Sequence, residues 1–229
     1  MWTLEAQARR LKGAGSKSLE GAEGKILKGA GGTSLNNRIP RLWLLSDPRR
    51  LPDPLPAAAR LPPGSAVLAR GLAPAVLCGL ARLARRRRLV LLVAGDGRLA
   101  LALGAGLHVP DRYSCSGLLA FLAARRPDAV LSVAAHGRAG LVRARRLRAG
   151  AVLLSPAFAT VSHAGAPVLG PLRWAGLAKQ APLGVAVVAL GGLAAGNAAR
   201  LPRVRLAGLA AIGALARPGA ERHQPSPAG

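Results

Sequence analysis

The chain has 229 residues and a formal net charge of +24, and 51% of its residues are hydrophobic. This length suits one barrel-sized domain or two small ones, with enough apolar residues for a core. Cys78 and Cys115 lie far apart without CxxC spacing, which excludes a zinc or disulfide framework. No apolar run reaches membrane-spanning length, and the start lacks the apolar segment of a secretory signal. We therefore expect a cytoplasmic protein without a membrane partner.

The positive charge has two explanations. One is a set of solvated helix faces on which Arg replaces Lys, and the other is a nucleic-acid or anionic surface as partner. The clusters lie at Arg85–Arg88, Arg125–Arg126, Arg143–Arg148 and Arg200–Arg205, one for each predicted helix or turn. No aromatic residues interleave with them to stack on bases. We therefore favour solvated helix faces and do not expect a nucleic-acid partner, although an anionic small substrate would benefit from the field.

The two ends of the chain differ from its middle. Residues 1–39 are rich in Gly, Lys and Ser and contain two similar pieces, LKGAGSKSLEGAEGK and LKGAGGTSLNN. Their apolar residues are too sparse for a buried face. We therefore predict a basic tail that is flexible and disordered, or weakly helical. Residues 218–229 also have the composition of a disordered tail. The folded domain is expected to span residues 40–217.

Short apolar runs alternate with Ala/Leu/Arg-rich helices through this domain. Such continuous apolar strands predict a parallel sheet that is buried on both faces. Eight of them predict an α/β fold of the compact (β/α)₈ TIM barrel class. The span is short for a barrel, so we expect helices of one or two turns after the first, third and seventh strands. The candidate strands are Leu42–Leu45, Ala66–Ala69, Leu89–Val93, Gly106–Val109, Ala129–Val133, Ala151–Leu154, Val185–Leu190 and Leu206–Ile212, and the longer candidate helices include Pro74–Arg85, Ser116–Arg125, Arg138–Arg148 and Pro171–Lys179.

Polar residues follow several of these strands, on the face where barrels carry their sites. Arg70 ends the second strand and is able to grip a phosphate, and Asp96 after the third is able to hold Mg²⁺. Surface roles fit the same spacing equally well. His136 after the fifth strand is a candidate acid or base, with helix capping as the alternative. His108, flanked by apolar residues, is more typical of a structural residue.

The last strands indicate a phosphate site. An apolar strand runs into Gly191-Gly192 and then into a short helix, an arrangement that lets backbone amides approach an anion. A simple turn that needs glycine is the alternative. The long loop after the sixth strand places Ser155, Thr160 and His163 where they are able to bind a phosphate or diphosphate, or to lie in solvent.

Taken in order, several segments resemble a known family. RLWLLSDP, LLVAGD, LALGAGLHVPDR, LSVAAH, VLLSPAFATVSHAGAPVLG, VVALGGLAAGNAARL and LAGLAAIGAL resemble thiamine phosphate synthases and their TenI-type relatives, from Arg41 to Leu215. The resemblance implies a (β/α)₈ barrel that acts in thiamine biosynthesis. It implies a thiazole phosphate bound at backbone amides that match Gly191-Gly192 and Ile212-Gly213. His136 matches the histidine to which the tautomerase branch assigns proton transfer.

The two branches of the family imply different reactions. A synthase, which is a transferase, couples the thiazole phosphate to a pyrimidine diphosphate with Mg²⁺ and releases pyrophosphate. A TenI-type tautomerase isomerises the thiazole phosphate carboxylate by moving a proton. Mg²⁺ is therefore expected only if synthase activity is retained.

The chain departs from the synthase pattern in the part that would hold diphosphate and metal. Each lost charged contact removes on the order of 1.5–3 kcal/mol, so we favour a tautomerase-like or divergent activity over full synthase activity. The alternative is a catalytically degenerate barrel that binds a phosphate ligand in a regulatory role. A homo-oligomer remains open. The departures are Leu68-Ala69-Arg70-Gly71-Leu72 for Gln-Leu-Arg-x-Lys, Gly95-Asp96 for Asn-Asp, Tyr113 for an acid with Asp111 nearby, Ala134 for Ser, and His163 for Lys.

Overall fold

A computed structural model describes residues 3–11, 39–111, 114–160 and 168–216. Its eight strands are all parallel and pair in chain order, and β1 pairs with β8 to close a barrel. The predicted (β/α)₈ barrel is thus confirmed, although β3 and β7 begin one residue later than expected and β5 begins two residues later. The strands are β1 Leu42–Leu45, β2 Ala66–Ala69, β3 Val90–Ala94, β4 Gly106–Val109, β5 Leu131–Ala135, β6 Ala151–Leu154, β7 Ala186–Leu190 and β8 Leu206–Ala211.

Helices connect these strands on the outside of the barrel. As the short span required, the helices after β1, β3 and β7 have only 4, 6 and 4 residues. None of the helices in the described ranges combines the length and apolarity needed to cross a lipid bilayer. The helices are α1 Leu4–Arg10, α2 Leu55–Ala58, α3 Pro74–Arg87, α4 Gly97–Ala102, α5 Leu118–Ala124, α6 Arg138–Arg146, α7 Gly170–Lys179, α8 Ala195–Ala198 and α9 Gly213–Ala216.

Alternate residues of each strand point to opposite sides of the sheet, so the core has two parts. Trp43 and Leu45 belong to a cluster inside the barrel, while Leu42 and Leu44 pack toward the helices. Large and small side chains both line the interior. Gly106 is one of the small residues because a Cβ there would lie 2.4 Å from the Val130 carbonyl oxygen.

One polar pair lies among these interior side chains. His108 of β4 is buried, and its Nδ1 lies 2.9 Å from the Ser132 hydroxyl of β5. Burial lowers the pKa of His108 from 6.5 to about 3, and the charges of Arg70 and Arg143 act in the same direction. His108 is therefore neutral near pH 7 and fills the barrel, the structural role that its apolar neighbours suggested.

Helix α1 packs on the outside of the barrel, against β1, β8 and α8. Leu4 and Ala8 are 3% and 4% exposed, and the Gln7 amide Nε2 donates to the Ala195 carbonyl at 2.5 Å. We expected no buried face in this part of the chain. Two apolar residues suffice because α9, which follows β8, is a single turn and leaves apolar strand surface for α1 to cover. Residues 12–38 and 217–229 lie outside the described residues.

Removing the α1 anchor should lower stability. Leu4→Ala deletes a buried side chain, so the free energy of unfolding in urea should fall by about 2 kcal/mol or more. Leu183→Ala is the matched control, because Leu183 is 93% exposed and its loss should change the value by less than about 0.5 kcal/mol. Equal effects of the two substitutions would contradict the packing of α1.

The buried imidazole should make the protein less stable in acid. Above pH 6.5 His108 is deprotonated in both the folded and the unfolded chain. Between pH 6.5 and about pH 3 the unfolded chain binds a proton at His108 and the folded chain does not. The free energy of unfolding should therefore fall toward acid by up to about 1.4 kcal/mol per pH unit from this group. Urea titrations of His108→Gln should lack this component. His136→Gln, at an exposed histidine, should keep it, and an unchanged slope in His108→Gln would refute the assignment.

Candidate functional site

The carboxyl ends of all eight strands meet at one rim, because every neighbouring pair is parallel. We call this rim the mouth of the barrel. It brings together most of the residues that the sequence indicated, although Thr160 lies further along the β6–α7 loop and His163 lies outside the described residues. The residues directly beyond the strands are Arg70 after β2, Asp96 after β3, His136 after β5, Ser155 after β6, Gly191 and Gly192 after β7, and Ile212 and Gly213 after β8.

His136 is held in one orientation by the neighbouring strand. Its Nδ1 lies 3.0 Å from the Ser155 carbonyl oxygen and 3.2 Å from the Ser155 hydroxyl. A carbonyl oxygen only accepts hydrogen bonds, so in the neutral ring Nδ1 carries the proton and Nε2 keeps its lone pair. Nε2 lies 3.9 Å from Asp111 Oδ2, and half of the side chain is exposed. His136 thus presents a basic nitrogen at the mouth.

Asp111 is fixed by an arginine that sequence reasoning missed. Arg143 of α6 donates from Nη2 to Asp111 Oδ1 at 2.8 Å and from Nη1 to the Asp111 carbonyl at 2.9 Å. The same Nη2 donates to the Ala134 carbonyl at 2.7 Å. We had counted Arg143 with the solvated cluster. The sequence did contain a signal for this role of Arg143. Arg143 lies three residues after Gly140, which is a buried position of α6.

Arg70 presents a guanidinium that has no ion-pair partner among the described residues. Its backbone is held by buried Ser46, whose hydroxyl accepts from the Arg70 amide at 2.7 Å and donates to the Arg70 carbonyl at 3.1 Å. Burial alone would raise the pKa of Asp47. Amide hydrogen bonds from Arg50 and Arg49, with the charges of Arg70 and Arg50, outweigh burial and lower it. The Ser46-Asp47-Pro48 loop thus orders this part of the rim.

The Asp96 carboxylate binds a backbone amide of the helix that follows it. Its Oδ1 accepts from the Leu99 amide at 2.9 Å and caps α4. Burial, together with the Asp96 charge, raises the pKa of the nearby Cys115 thiol. Asp111, the second acidic residue considered as a metal ligand, is paired with Arg143. Among the described residues no group of three His, Cys, Asp or Glu side chains could hold a metal ion. These residues therefore do not fit a Mg²⁺ site supplied by the protein alone.

The Gly191-Gly192 turn has a shape that only glycine permits. Their φ angles are +97° and +62°, and a Cβ at Gly192 would lie 2.1 Å from the Ala159 carbonyl oxygen. The β6–α7 loop packs directly on this turn, since the Phe158 amide donates to the Gly191 carbonyl at 3.0 Å. Asn197 Nδ2 donates to the Gly192 carbonyl at 2.7 Å from α8. The two carbonyls are thus engaged, whereas neither glycine amide donates to another described residue.

The end of β8 lies beside this turn, because Leu190 of β7 pairs with Ala210 of β8. Ile212 and Gly213 follow β8 and lead into α9. An Nη atom of Arg50 lies 3.3 Å from the position that a Cβ at Gly213 would take. Sequence reasoning missed Arg50, although its place just beyond the β1 loop was a signal. The β7 and β8 turns and one guanidinium therefore lie together.

A groove of about 800 Å³ lies away from the mouth, between α6 and the turn that precedes β7. Arg138, Arg145 and Leu183 line part of it. No strand opens its carboxyl end into this groove, and neither His136 nor the Gly191-Gly192 turn borders it. We therefore place the candidate site at the mouth.

Comparison with solved structures agrees with the fold. The chain is similar to the thiamine phosphate pyrophosphorylase from Pyrococcus furiosus, with a TM-score of 0.63 and 21% identity over 78% of this chain and 87% of that one. It is also similar to the 2-keto-3-deoxy-6-phosphogluconate aldolase of Zymomonas mobilis ZM4 solved with 3-phosphoglycerate, with a TM-score of 0.51 and 14% identity over 79% and 84%. At these identities the likeness establishes the barrel fold alone.

Sequence comparison identifies the family. No curated protein sequence matches the chain. The family model described as thiamine monophosphate synthase matches residues 73–215, which include β3 to β8 and the turns after them. The match covers more than half of the chain, and the eight-stranded barrel agrees with it. The protein therefore belongs to the thiamine monophosphate synthase family.

Proposed function

We propose that the protein binds a thiazole phosphate at the mouth of the barrel and isomerises it by proton transfer, as a tautomerase-like member of its family. The observation that carries this proposal is the geometry of His136. Its Nδ1 is tied to the Ser155 carbonyl, so Nε2 is the atom that faces the mouth with a lone pair. A positioned imidazole of this kind is suited to take up and return a proton near neutral pH.

The phosphate end of the ligand would lie at the turns after β7 and β8. The amides of Gly191 and Gly192 are not used by described residues, and Gly213 begins α9 beside them. Backbone amides at such a turn bind anions well. Arg50 lies next to Gly213 and adds a positive charge at this end of the site. Anchoring there would hold the thiazole ring toward the centre of the mouth.

The proton transfer needs no co-reactant. Nε2 of His136 takes a proton from a ring carbon of the thiazole phosphate carboxylate, and the electron pair stays in the conjugated ring. The imidazolium then returns the proton to another atom of that system, so the net change is an isomerisation. Asp111 Oδ2 lies 3.9 Å from His136 Nε2. Arg70, which follows β2 at the same mouth, would pair with the ligand carboxylate.

Synthase activity is the second candidate, favoured by the family match. It requires a pyrimidine diphosphate and Mg²⁺ in addition to the thiazole phosphate. Arg70, Asp96, Ser155, Thr160 and His163 are the residues left to bind these groups. The use of Asp96 as a helix cap and the pairing of Asp111 with Arg143 weigh against it.

Thermal-shift and turnover assays separate the candidates. Thiazole phosphate should raise the melting temperature without Mg²⁺, as a ligand that binds only the folded state does. Isomerisation of the thiazole phosphate carboxylate without Mg²⁺ supports the tautomerase. Turnover only with pyrimidine diphosphate and Mg²⁺ supports the synthase instead. Binding without any turnover would leave a regulatory phosphate-binding barrel, and no binding at all would refute the proposal.

Replacing the proposed base should reduce the rate and leave binding intact. His136→Gln keeps a polar side chain but removes the proton acceptor, so kcat for isomerisation should fall by about 10²–10⁴-fold. The affinity for thiazole phosphate should stay nearly the same, because the phosphate anchor is untouched. Arg138→Gln, at an exposed residue two positions further on, is the control and should keep wild-type turnover. Unchanged turnover in His136→Gln would remove this residue from the mechanism.

Arg50 should contribute mainly to binding. Arg50→Gln removes one charge beside Gly213, and because the group is exposed and screened we expect only about a tenfold rise in KM. The value of kcat should stay close to wild type, as for an interaction made equally in the ground and transition states. Arg49→Gln is the neighbouring control and should leave both constants unchanged. Equal KM values for the two variants would place the phosphate elsewhere.

A further inference from the structure

The end of the barrel opposite the mouth collects most of the arginine clusters of the described chain. In this topology every helix ends where the next strand begins, so the clusters at the helix ends lie around one face. We call this face the closed-end basic surface. Its members are Arg41 before β1, Arg85–Arg88 before β3, Arg125 and Arg126 before β5, Arg145, Arg146 and Arg148 before β6, Lys179 at the end of α7, and Arg205 before β8.

Hydrogen bonds show that clusters distant in sequence approach the same turns. Arg85 Nη2 donates to the Leu103 carbonyl at 3.2 Å, and Arg126 Nη2 donates to the adjacent Gly104 carbonyl at 3.0 Å. The cluster after α3 and the cluster after α5 therefore flank a single turn, between α4 and β4. Arg87 extends the arc in the other direction by donating to the Leu61 carbonyl at 3.3 Å.

A second arc forms at the turn before β7. Arg205 Nη2 donates to the Pro182 carbonyl of this turn at 2.7 Å. Arg145 and Arg148 line the groove of about 800 Å³ that the same turn borders through Pro182 and Leu183. Guanidinium groups from α6 and from the segment before β8 are thus also neighbours.

Acidic residues do not balance this surface. Asp128 precedes β5 at the closed end and is paired with Arg126, and Glu5 of α1 is paired with Arg9. Asp47, Asp53, Asp96 and Asp111 all follow strands at the mouth. In the sequence the basic clusters are separate, which weighed against a nucleic-acid partner. The fold removes this objection, because it gathers them on one side of the molecule.

We propose that the closed-end basic surface binds the phosphodiester backbone of a nucleic-acid duplex without reading its sequence. Arginine forks bind phosphate oxygens in pairs, and rows of them bind a polyanion by releasing its counterions. Trp43, Trp174 and Phe121 are all buried. Phe158, the other aromatic residue among those described, is partly exposed but follows β6 at the mouth. The closed end therefore lacks aromatic platforms for unpaired bases, which favours a duplex over a single strand.

The surface is also poor in exposed apolar anchors. Leu183 is 93% exposed there, but Leu119 and Leu172 lie in the first turns of α5 and α7, toward the mouth. A stable protein interface has an apolar centre, and a membrane-binding surface inserts apolar side chains. A polyanion bound by charge alone fits the composition of this face better. Because this surface is at the opposite end from the mouth, the proposal does not depend on the function proposed above.

Fluorescence anisotropy with a short mixed-sequence DNA duplex tests the proposal on the full chain. The face variant is Arg86→Gln/Arg146→Gln/Arg148→Gln, whose three residues are exposed and whose guanidinium groups form no hydrogen bond with described residues. The control is Arg49→Gln/Arg98→Gln/Arg173→Gln, three exposed arginines beyond β1 or in first turns toward the mouth. Both triple variants lose the same net charge, so net charge alone predicts equal effects.

We expect wild-type affinity to fall steeply with salt. The face variant should bind at least about tenfold more weakly at ~0.1 M salt and lose about 0.9 of the log–log slope for each lost phosphate contact. The control should stay within about twofold of wild type. Equal losses in both variants, no duplex binding by wild type, or binding only to phosphatidylserine vesicles or single strands would overturn the proposal.

Discussion

The closure of the sheet between β8 and β1 is the contact on which the remaining features depend. The register pairs Leu42 with Leu209 and Trp43 with Ala210, and it leaves no strand edge among the eight. Because all neighbours are parallel, closure sorts the chain into two ends. Residues directly beyond a strand lie at the mouth, and residues directly before a strand lie at the closed end. Whether a residue directly follows or directly precedes a strand therefore decides whether it lies at the candidate site or on the closed-end basic surface.

At the mouth, the pairing of neighbouring strands sets the positions of single residues relative to one another. His136 is oriented because β5 and β6 are neighbours, so that the Ser155 carbonyl meets its Nδ1. The Gly191-Gly192 turn and Gly213 approach each other because β7 and β8 are neighbours. Neither arrangement needs a long loop or a large side chain. A compact barrel with one-turn helices thus brings two glycine-containing turns together at the same mouth that carries His136.

Strand positions, barrel closure and the short helices were predictable from the sequence, because continuous apolar runs separated by Ala/Leu/Arg helices fit few other folds. The candidate site was predictable to the level of which residue follows which strand. The Arg143–Asp111 pair was not, since it joins two segments 32 residues apart and its arginine lies in a repetitive basic cluster. The helix-capping role of Asp96 had a signal, since Asp is a preferred residue just before a helix. The proximity of Arg50 to Gly213 depends on a side-chain direction that no pattern encodes. The burial of α1 was also missed, because it depends on apolar surface that only the closed barrel exposes.

Amide NMR on the full chain, titrated with thiazole phosphate, tests most directly whether the turns after the last two strands bind one phosphoryl group. We expect the Gly191, Gly192 and Gly213 amide resonances to shift together and to follow a single dissociation constant. Resonances of the closed end should stay unchanged in the same titration. Shifts confined to the arginine-rich closed end, or different dissociation constants for the β7 and β8 turns, would contradict the binding of one phosphoryl group by these turns.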